Sequence, residues 1–162
     1  MQRLLVICRH AESNDPFPLQ PDFERELTKN GIQQARMTGQ WMREHYQRID
    51  TLLASPAPRA STTAKLLASK LYFDEQNIIY EPELYNARES TLANVLSKLP
   101  PEVTRILLVG HNPGITGLAR TLTDQHIGYL EPAAAIAITM DLPSWQDIHL
   151  HSGKLMQQFS GS

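Results

Sequence analysis

The stretch RILLVGHNPG, residues 105–114, indicates the fold class of this chain. Its first half, Arg105–Val109, is a short run of mostly apolar residues, which is typical of a strand buried on both faces. Glycine, histidine, asparagine and proline follow at once, and a helical pattern then continues to about Leu122. A buried strand that turns directly into a helix is the repeating unit of a parallel α/β sheet.

The rest of the chain shows the same alternation of strand-like and helix-like segments. Thr28 is predicted as the N-cap of the first helix, and Ser90 or Thr91 as that of the third. The order predicts an α/β fold, a three-layer α/β/α sandwich with a mostly parallel central sheet. The predicted strands are Leu4–Cys8, Thr51–Ala54, Ile78–Tyr80, Arg105–Val109, Ala134–Leu142 and Lys154–Phe159. Helices are predicted from Thr28 to about Gln47, over Arg59–Leu71, over Leu92–Leu99 and from after Gly114 to about Leu122. Asn14–Pro21 is predicted as a loop.

Bulk composition limits the classes of function. A chain of 162 residues with 41% apolar and 20% charged residues suits one domain over residues 1–162. The net charge of −2 gives no overall attraction to nucleic acid or to a membrane surface, so neither is an expected partner. The apolar run Leu4–Cys8 is too short for a signal peptide or a membrane span, and we expect a cytoplasmic protein.

Polar side chains follow three of the predicted strands. Arg9 and His10 come directly after the first strand, and Arg59 follows the second strand after a turn that begins at Ser55. His111 comes just after the strand at Arg105–Val109. The carboxyl ends of parallel strands meet at one edge of the sheet, where α/β proteins bind their ligands. The sequence therefore predicts that two arginines and two histidines converge on one site.

These side chains suit the transfer of a phosphoryl group. Charge spreads over three oxygens in that reaction, so catalysis depends mostly on positioning and on electrostatic stabilisation. The guanidinium groups of Arg9 and Arg59 can each bind two oxygens and stay charged. A neutral His10 can attack phosphorus with one ring nitrogen while the other donates to a backbone carbonyl. His111 is predicted to be a charged donor to the same oxygens.

The three segments resemble the histidine phosphatase superfamily, which includes the phosphoglycerate mutase-like enzymes. Its Arg-His-Gly motif is similar to Arg9-His10-Ala11, with alanine in place of the usual glycine. The stretch from Asp22-x-x-Arg25 to Gly31 resembles that of the short SixA-type phosphohistidine phosphatases. Two further family segments, Ser-Pro-x-x-Arg-Ala-x-x-Thr-Ala and Val-Gly-His-Asn-Pro, are matched at Ser55-Pro56, Arg59-Ala60, Thr63-Ala64 and Val109 to Pro113.

The resemblance implies a phosphoglycerate mutase-like fold and a phosphatase that carries the phosphoryl group on His10. It further implies phosphate contacts from Arg9, Arg59 and His111, with no metal and no other cofactor. Arg25 and Asn14 are weaker candidates for phosphate contacts, and Arg25 could instead pair with Glu24 or Glu26 at the start of a helix.

The resemblance leaves the proton donor to the leaving group open. Larger members of the family carry an acidic residue just after a Leu-x pair. Aligning that pair on residues 84–85 places Asn86 there, and asparagine cannot act as a general acid. Glu12, Glu83 and Glu89 are substitute candidates without support from spacing. Because the imidazole of phosphohistidine can leave already protonated, the missing acid favours a SixA-type activity.

The predicted substrate is a phosphorylated protein, although a small phosphorylated substrate is the alternative. Only residues 60–104 lie between Arg59 and Arg105, which leaves little chain for a cap over the site. An open site suits a phosphoryl group displayed on a protein. The competing hypotheses are a broad small-molecule phosphomonoesterase and a phospho-binding module without turnover. His149 and His151 have the spacing of ligands on a strand, but no third ligand is evident and no metal site is predicted.

Overall fold

A computed structural model describes residues 2–150 and 153–160 of the chain and shows strands and helices in alternation. Its strands are β1 (Gln2–Arg9), β2 (Thr51–Ala54), β3 (Ile79–Tyr80), β4 (Arg105–Gly110), β5 (Ala135–Asp141) and β6 (Gly153–Phe159). Its α-helices are α1 (Lys29–Tyr46), α2 (Pro58–Lys70), α3 (Glu89–Ser97) and α4 (Gly114–Thr123). Short 3-10 helices cover Asp22–Glu24, Glu75–Asn77, Pro82–Leu84 and Trp145–Leu150.

The six strands form one sheet in the order β3-β2-β4-β1-β5-β6. The neighbours from β3 to β1 are parallel, whereas β5 is antiparallel to β1 and β6 is antiparallel to β5. Arg9 lies opposite Gly110, and Ala54 lies opposite Val109, so β1, β2 and β4 end at the same edge. The predicted mostly parallel α/β sandwich is therefore confirmed.

Alternate residues of the central strands enter two separate apolar cores. In β1, Leu5 and Ile7 pack in the core beneath α3 and α4, whereas Leu4 and Val6 pack in the core beneath α1 and α2. This burial on both faces explains why the central strands are continuous apolar runs instead of alternating ones.

The helix starts agree with the sequence at α1 but not at α3. Thr28 caps α1 as predicted, with its side-chain oxygen accepting a hydrogen bond from Gly31 N at 2.9 Å. The predicted cap at Ser90 or Thr91 is wrong, because α3 begins at Glu89 after an extended Arg88. The earlier start lets the Glu89 carboxylate accept a hydrogen bond from Thr121 Oγ1 of α4, a contact between helices that local sequence does not reveal.

The C-terminal part of the chain contains a 3-10 helix that the sequence did not indicate. His149 lies in this helix, Trp145–Leu150, and not on a strand. His151 is outside the described residues. Among the residues that the structure describes, no helix is both long enough and apolar enough to span a membrane.

The start of α1 packs directly against the segment that follows β1. The Glu12 carbonyl accepts a hydrogen bond from Thr28 N at 3.0 Å. A Cβ on Gly31 would lie 2.1 Å from the same carbonyl oxygen, closer than any side chain can approach. Glycine at this position therefore allows α1 to hold the chain two residues beyond His10.

We expect Gly31→Ala to lower the free energy of unfolding by about 1–3 kcal/mol, because the new methyl group must displace backbone. Gly128→Ala is the matched control, since a Cβ at Gly128 meets no atom within 4 Å. Urea denaturation monitored by circular dichroism measures both variants. Equal stability of the two variants would contradict the close packing of Gly31 on Glu12.

Candidate active site

His10 lies at the carboxyl edge of the sheet, directly after β1, and its side chain is held by the backbone. The residue is 6% exposed, and its Nδ1 atom lies 2.8 Å from the Ala11 carbonyl oxygen. Because a carbonyl can only accept a hydrogen bond, Nδ1 carries the proton and Nε2 keeps its lone pair. This is the arrangement that the sequence predicts for a nucleophilic imidazole.

The turn that carries His10 is held in place by α2. The Ala11 backbone N–H donates to Thr63 Oγ1 at 3.0 Å, and the Thr63 hydroxyl donates to the Arg59 carbonyl at 2.7 Å. The His10 backbone N–H donates to the Gly110 carbonyl at 3.1 Å, which joins the turn to β4. Thr63 therefore connects the two segments that bear His10 and Arg59.

His111 follows β4, and its ring lies beside that of His10. The ring centroids are 5.2 Å apart, and His111 is 4% exposed. Its Nε2 atom lies 2.8 Å from Ser55 Oγ, which also accepts a hydrogen bond from Ala57 N at 3.3 Å. We assign the Ser55 proton to the bond with Nε2, which places the ring proton of neutral His111 on Nδ1.

Arg59 and Arg9 lie at the same edge but have different partners. Arg59 is 2% exposed, and it donates from Nη1 to the Asp22 carbonyl at 2.8 Å and from Nη2 to Asp22 Oδ2 at 2.9 Å. Arg9 is half-buried and donates from Nη1 to the Leu130 carbonyl at 3.1 Å. The structure thus brings together all four residues that the sequence predicts at this site.

Three buried nitrogen atoms of this group have no hydrogen-bond partner in the described part of the protein. They are Arg9 Nε, Arg59 Nε and His111 Nδ1. Outside the group, the Tyr80 hydroxyl oxygen is also buried without a hydrogen-bond partner in the described residues. A buried donor without a partner costs about 1–3 kcal/mol, so such atoms rarely cluster without a reason. Donors of this kind on two arginines and a histidine are suited to the oxygens of an anion. Together with the fold, they mark this edge of an α/β sheet as a candidate oxyanion site.

Burial keeps both histidines neutral. Burial, with smaller contributions from the charges of Arg59 and Arg9, lowers the pKa of His10 to about 4, although the hydrogen bond to Ala11 acts in the opposite direction. Burial, together with the neighbouring His10 and Arg59, lowers the pKa of His111 to about 3. The prediction that His111 is charged is therefore wrong at neutral pH, because a charged ring in this position would be desolvated beside an arginine.

Asp22 is a central residue of the site that the sequence reasoning did not single out. Its Oδ2 atom accepts hydrogen bonds from Arg59 and, at 2.7 Å, from the Tyr85 hydroxyl. Its Oδ1 atom accepts from Arg25 Nε at 3.0 Å. The hydrogen bond from Tyr85, followed by the charge of Arg59, lowers the pKa of Asp22 to about 2 despite partial burial. Asp22 is therefore an anion that holds Arg59, and its only sequence signal was the Asp22-x-x-Arg25 spacing.

Arg25 and Asn14 belong to the loop beside the site. Arg25 pairs with Asp22 instead of its neighbours Glu24 and Glu26, and its Nη1 atom donates to Ser13 Oγ and to the Asn14 carbonyl. Its charge is close enough to lower the pKa of His10. The Asn14 side chain donates to the Leu27 carbonyl at 3.4 Å, which closes the loop.

Two of the three candidate proton donors have other partners, and the third lines a surface cavity. The Glu12 carboxylate accepts from Thr28 Oγ1 at 2.7 Å and from Asn30 Nδ2 at 3.2 Å, at the start of α1. Glu89 bonds to α4, and Glu83 lines a surface cavity between β3 and α3. None of the three is hydrogen-bonded to His10 or His111 in the part of the chain that the structure describes. Nor do the described residues contain a group of three His, Cys, Asp or Glu side chains placed to hold a metal ion.

Comparisons with known proteins agree with the fold and with the motifs. A sequence profile of the Histidine phosphatase superfamily (branch 1) matches residues 5–90. An uncharacterized protein of Mycobacterium leprae (strain TN) is 32% identical over 159 residues, which cover 91% of this chain and 96% of the relative. On these two similarities, the chain belongs to the histidine phosphatase superfamily, whose members are phosphatases and mutases.

Two solved structures show the same fold. The protein histidine phosphatase SixA, complexed with tungstate, matches with a TM-score of 0.83 at 24% identity, over 99% of this chain and 97% of that chain. The mycobacterial glucosyl-3-phosphoglycerate phosphatase matches with a TM-score of 0.73 at 14% identity, over 96% of this chain and 97% of that chain.

We expect the His10 and His111 rings to titrate near pH 4 and pH 3 instead of near the ordinary 6.5. Because the unfolded chain binds these protons first, the free energy of unfolding falls as the pH drops from 6.5 towards 3. Imidazole NMR spectra measure the titrations, and urea denaturation measures the stability. His10→Ala should show a weaker pH dependence of stability. A His10 midpoint near 6.5 would refute the assigned burial effect.

Proposed function

We propose that this protein is a metal-independent phosphatase that carries the substrate's phosphoryl group on His10 before releasing it to water. The observation that carries the proposal is the His10 ring itself. It is buried, neutral at pH 7, and fixed through Nδ1 so that Nε2 keeps its lone pair. A nucleophile needs both neutrality and a fixed direction, and the unpartnered buried donors of Arg9, Arg59 and His111 distinguish this ring from one that only packs.

In the first step, His10 Nε2 attacks phosphorus and forms a P–N bond while the bond to the leaving group breaks. The charge on the three phosphoryl oxygens is stabilised by the positive charges of Arg9 and Arg59 and by the Nδ1 hydrogen of His111. These donors are already in place before the reaction, so little reorganisation is needed in the transition state.

In the second step, a water molecule attacks the phosphoryl group on His10. A P–O bond forms, the P–Nε2 bond breaks, and Nε2 regains its lone pair. Inorganic phosphate leaves with the oxygen of the water, whose protons pass to the phosphate and to the solvent. The hydrogen bond to the Ala11 carbonyl keeps the proton on Nδ1 throughout and stabilises the positive charge that the phosphorylated ring carries.

Phosphohistidine in proteins is the substrate class that we propose. Glu12 and Glu89 are hydrogen-bonded elsewhere, Glu83 lines a surface cavity beside β3, and Asp22, with a pKa of about 2, is ionised and cannot donate a proton. The imidazole of phosphohistidine can leave with a proton that it already carries, whereas an alkoxide needs an acid. The similarity in fold to a protein histidine phosphatase supports the same choice.

We expect alkaline SDS quenching during turnover to trap a phosphoryl group on the wild-type chain that is stable to base and labile to acid. His10→Ala should carry no label and should lose roughly 10³-fold or more in kcat, because the covalent route is closed. His45→Ala is the matched control, since the exposed His45 also has Nδ1 bonded to a carbonyl, that of Trp41, at 2.9 Å. Wild-type turnover in His10→Ala would refute the mechanism.

We expect kcat/KM for a phosphohistidine peptide to exceed that for a small alkyl phosphate by about 10²–10⁴-fold, the usual contribution of a general acid. Phosphate release from both substrates, measured with the same enzyme preparation, gives this ratio. A clear preference for the alkyl ester would replace the proposal with a small-molecule phosphomonoesterase. Phosphate binding without release from either substrate would indicate a binding module.

A further inference from the structure

The loop before Asp22 exposes large apolar side chains at the edge of the candidate site. We call residues 14–23 the rim loop. Phe17 is 71% exposed, and Leu19 is 102% exposed with a positive φ of 66°. A branched side chain is uncommon in that backbone conformation, and an apolar one gains nothing there from water. Phe23, at the end of the loop, is 37% exposed.

The rim loop is held in a defined shape. Prolines at positions 16, 18 and 21 restrict its backbone. At its tip, Gln20 N donates to the Phe17 carbonyl at 2.8 Å, and Phe17 N donates to the Gln20 side chain at 3.0 Å. At its base, Asn14 N donates to the Glu26 carbonyl at 2.8 Å. A surface that is ordered before binding loses less entropy when a partner docks.

The rim loop is joined to the candidate site through aromatic rings. Phe23 contacts Tyr85 edge to face, with centroids 5.0 Å apart, and Tyr85 contacts His111 in the same way at 5.4 Å. Asp22, at the end of the loop, bonds to Arg59. His10 itself is almost wholly buried, so a large molecule that presents its phosphoryl group to His10 contacts the segments around the site, and the rim loop is one of them.

The charge around the rim loop favours one kind of partner. Residues 14–26 contain three acidic side chains outside the ion pairs of the site, Asp15, Glu24 and Glu26, whereas the charge of Asp22 is paired with Arg25 and Arg59. An acidic surface is repelled by anionic lipid headgroups, which argues against insertion of Phe17 and Leu19 into a membrane. It attracts a protein surface that carries lysine or arginine.

We propose that the rim loop is a docking surface that binds apolar and basic residues flanking the phosphohistidine of a protein substrate. This inference rests on the proposed phosphohistidine phosphatase activity and adds to it the determinant of substrate choice. Phe17 and Leu19 contact the apolar flank, and the exposed carboxylates of Asp15, Glu24 and Glu26 contact the basic one. Binding energy from these contacts appears in kcat/KM for a protein or peptide and not for free phosphohistidine.

The test compares three substrates: free phosphohistidine, a phosphohistidine peptide with leucine and lysine flanks, and one with serine and glutamate flanks. Wild type should prefer the leucine and lysine peptide by about tenfold or more in kcat/KM. Phe17→Ser/Leu19→Ser should lose that preference and hydrolyse free phosphohistidine at the wild-type rate. Tyr72→Ser/Met156→Ser is the matched control, because both side chains are exposed and lie away from this edge, at the end of α2 and on β6. This control should keep the preference.

The outcomes separate the two proposals. Absence of a flank preference in wild type, or its persistence in Phe17→Ser/Leu19→Ser, overturns the docking surface while hydrolysis of free phosphohistidine upholds the activity. Failure of wild type to hydrolyse any of the three substrates overturns both. Two further measurements test other occupants: sedimentation with phosphatidylserine vesicles and sedimentation equilibrium of the protein alone. Membrane binding or dimerisation that requires Phe17 and Leu19 would overturn the assignment to a protein substrate.

Discussion

The hydrogen bond between His10 Nδ1 and the Ala11 carbonyl is the interaction on which the rest of the site depends. It places the ring proton on Nδ1, and burial keeps the ring neutral, so Nε2 has a lone pair at physiological pH. The bond in turn depends on tertiary packing, since Thr63 of α2 holds the Ala11 N–H. The His10 ring, the sheet edge and α2 are therefore connected by one chain of hydrogen bonds.

The positive groups around that ring are held at a cost to the folded protein. Arg59 is buried with one counter-ion, Asp22, and its Nε atom has no partner in the described structure. Buried cations and unpaired donors raise the free energy of the folded state, and an anion that satisfies them regains that energy on binding. Asp22, at the end of the rim loop, compensates for the charge of Arg59 and also binds Arg25. This residue therefore connects the rim loop to the site. The proposed docking surface and the proposed phosphate site thus share one residue.

Much of this architecture could be predicted because its signals are local. The apolar runs predicted all six strands, and the polar residues after three of them predicted the edge where the site lies. Other features depend on contacts between distant segments. Thr63 meets Ala11 across 52 positions, and Tyr85 meets Asp22 across 63, so neither contact has a sequence signal at its own position. The start of α3 was misjudged for the same reason, since Glu89 is drawn to α4.

The sequence by itself determined the order of strands and helices and the identity of the four converging side chains. Hydrophobic periodicity indicates the order of strands and helices. The position of a polar residue directly after a strand indicates which side chains converge at the edge of the sheet. Only the tertiary structure decided that His111 is neutral, that Asp22 holds Arg59, and that Glu12 and Glu89 are hydrogen-bonded to groups other than the histidines. Protonation and pairing depend on burial and on distances between segments, and these quantities exist only once the chain has folded.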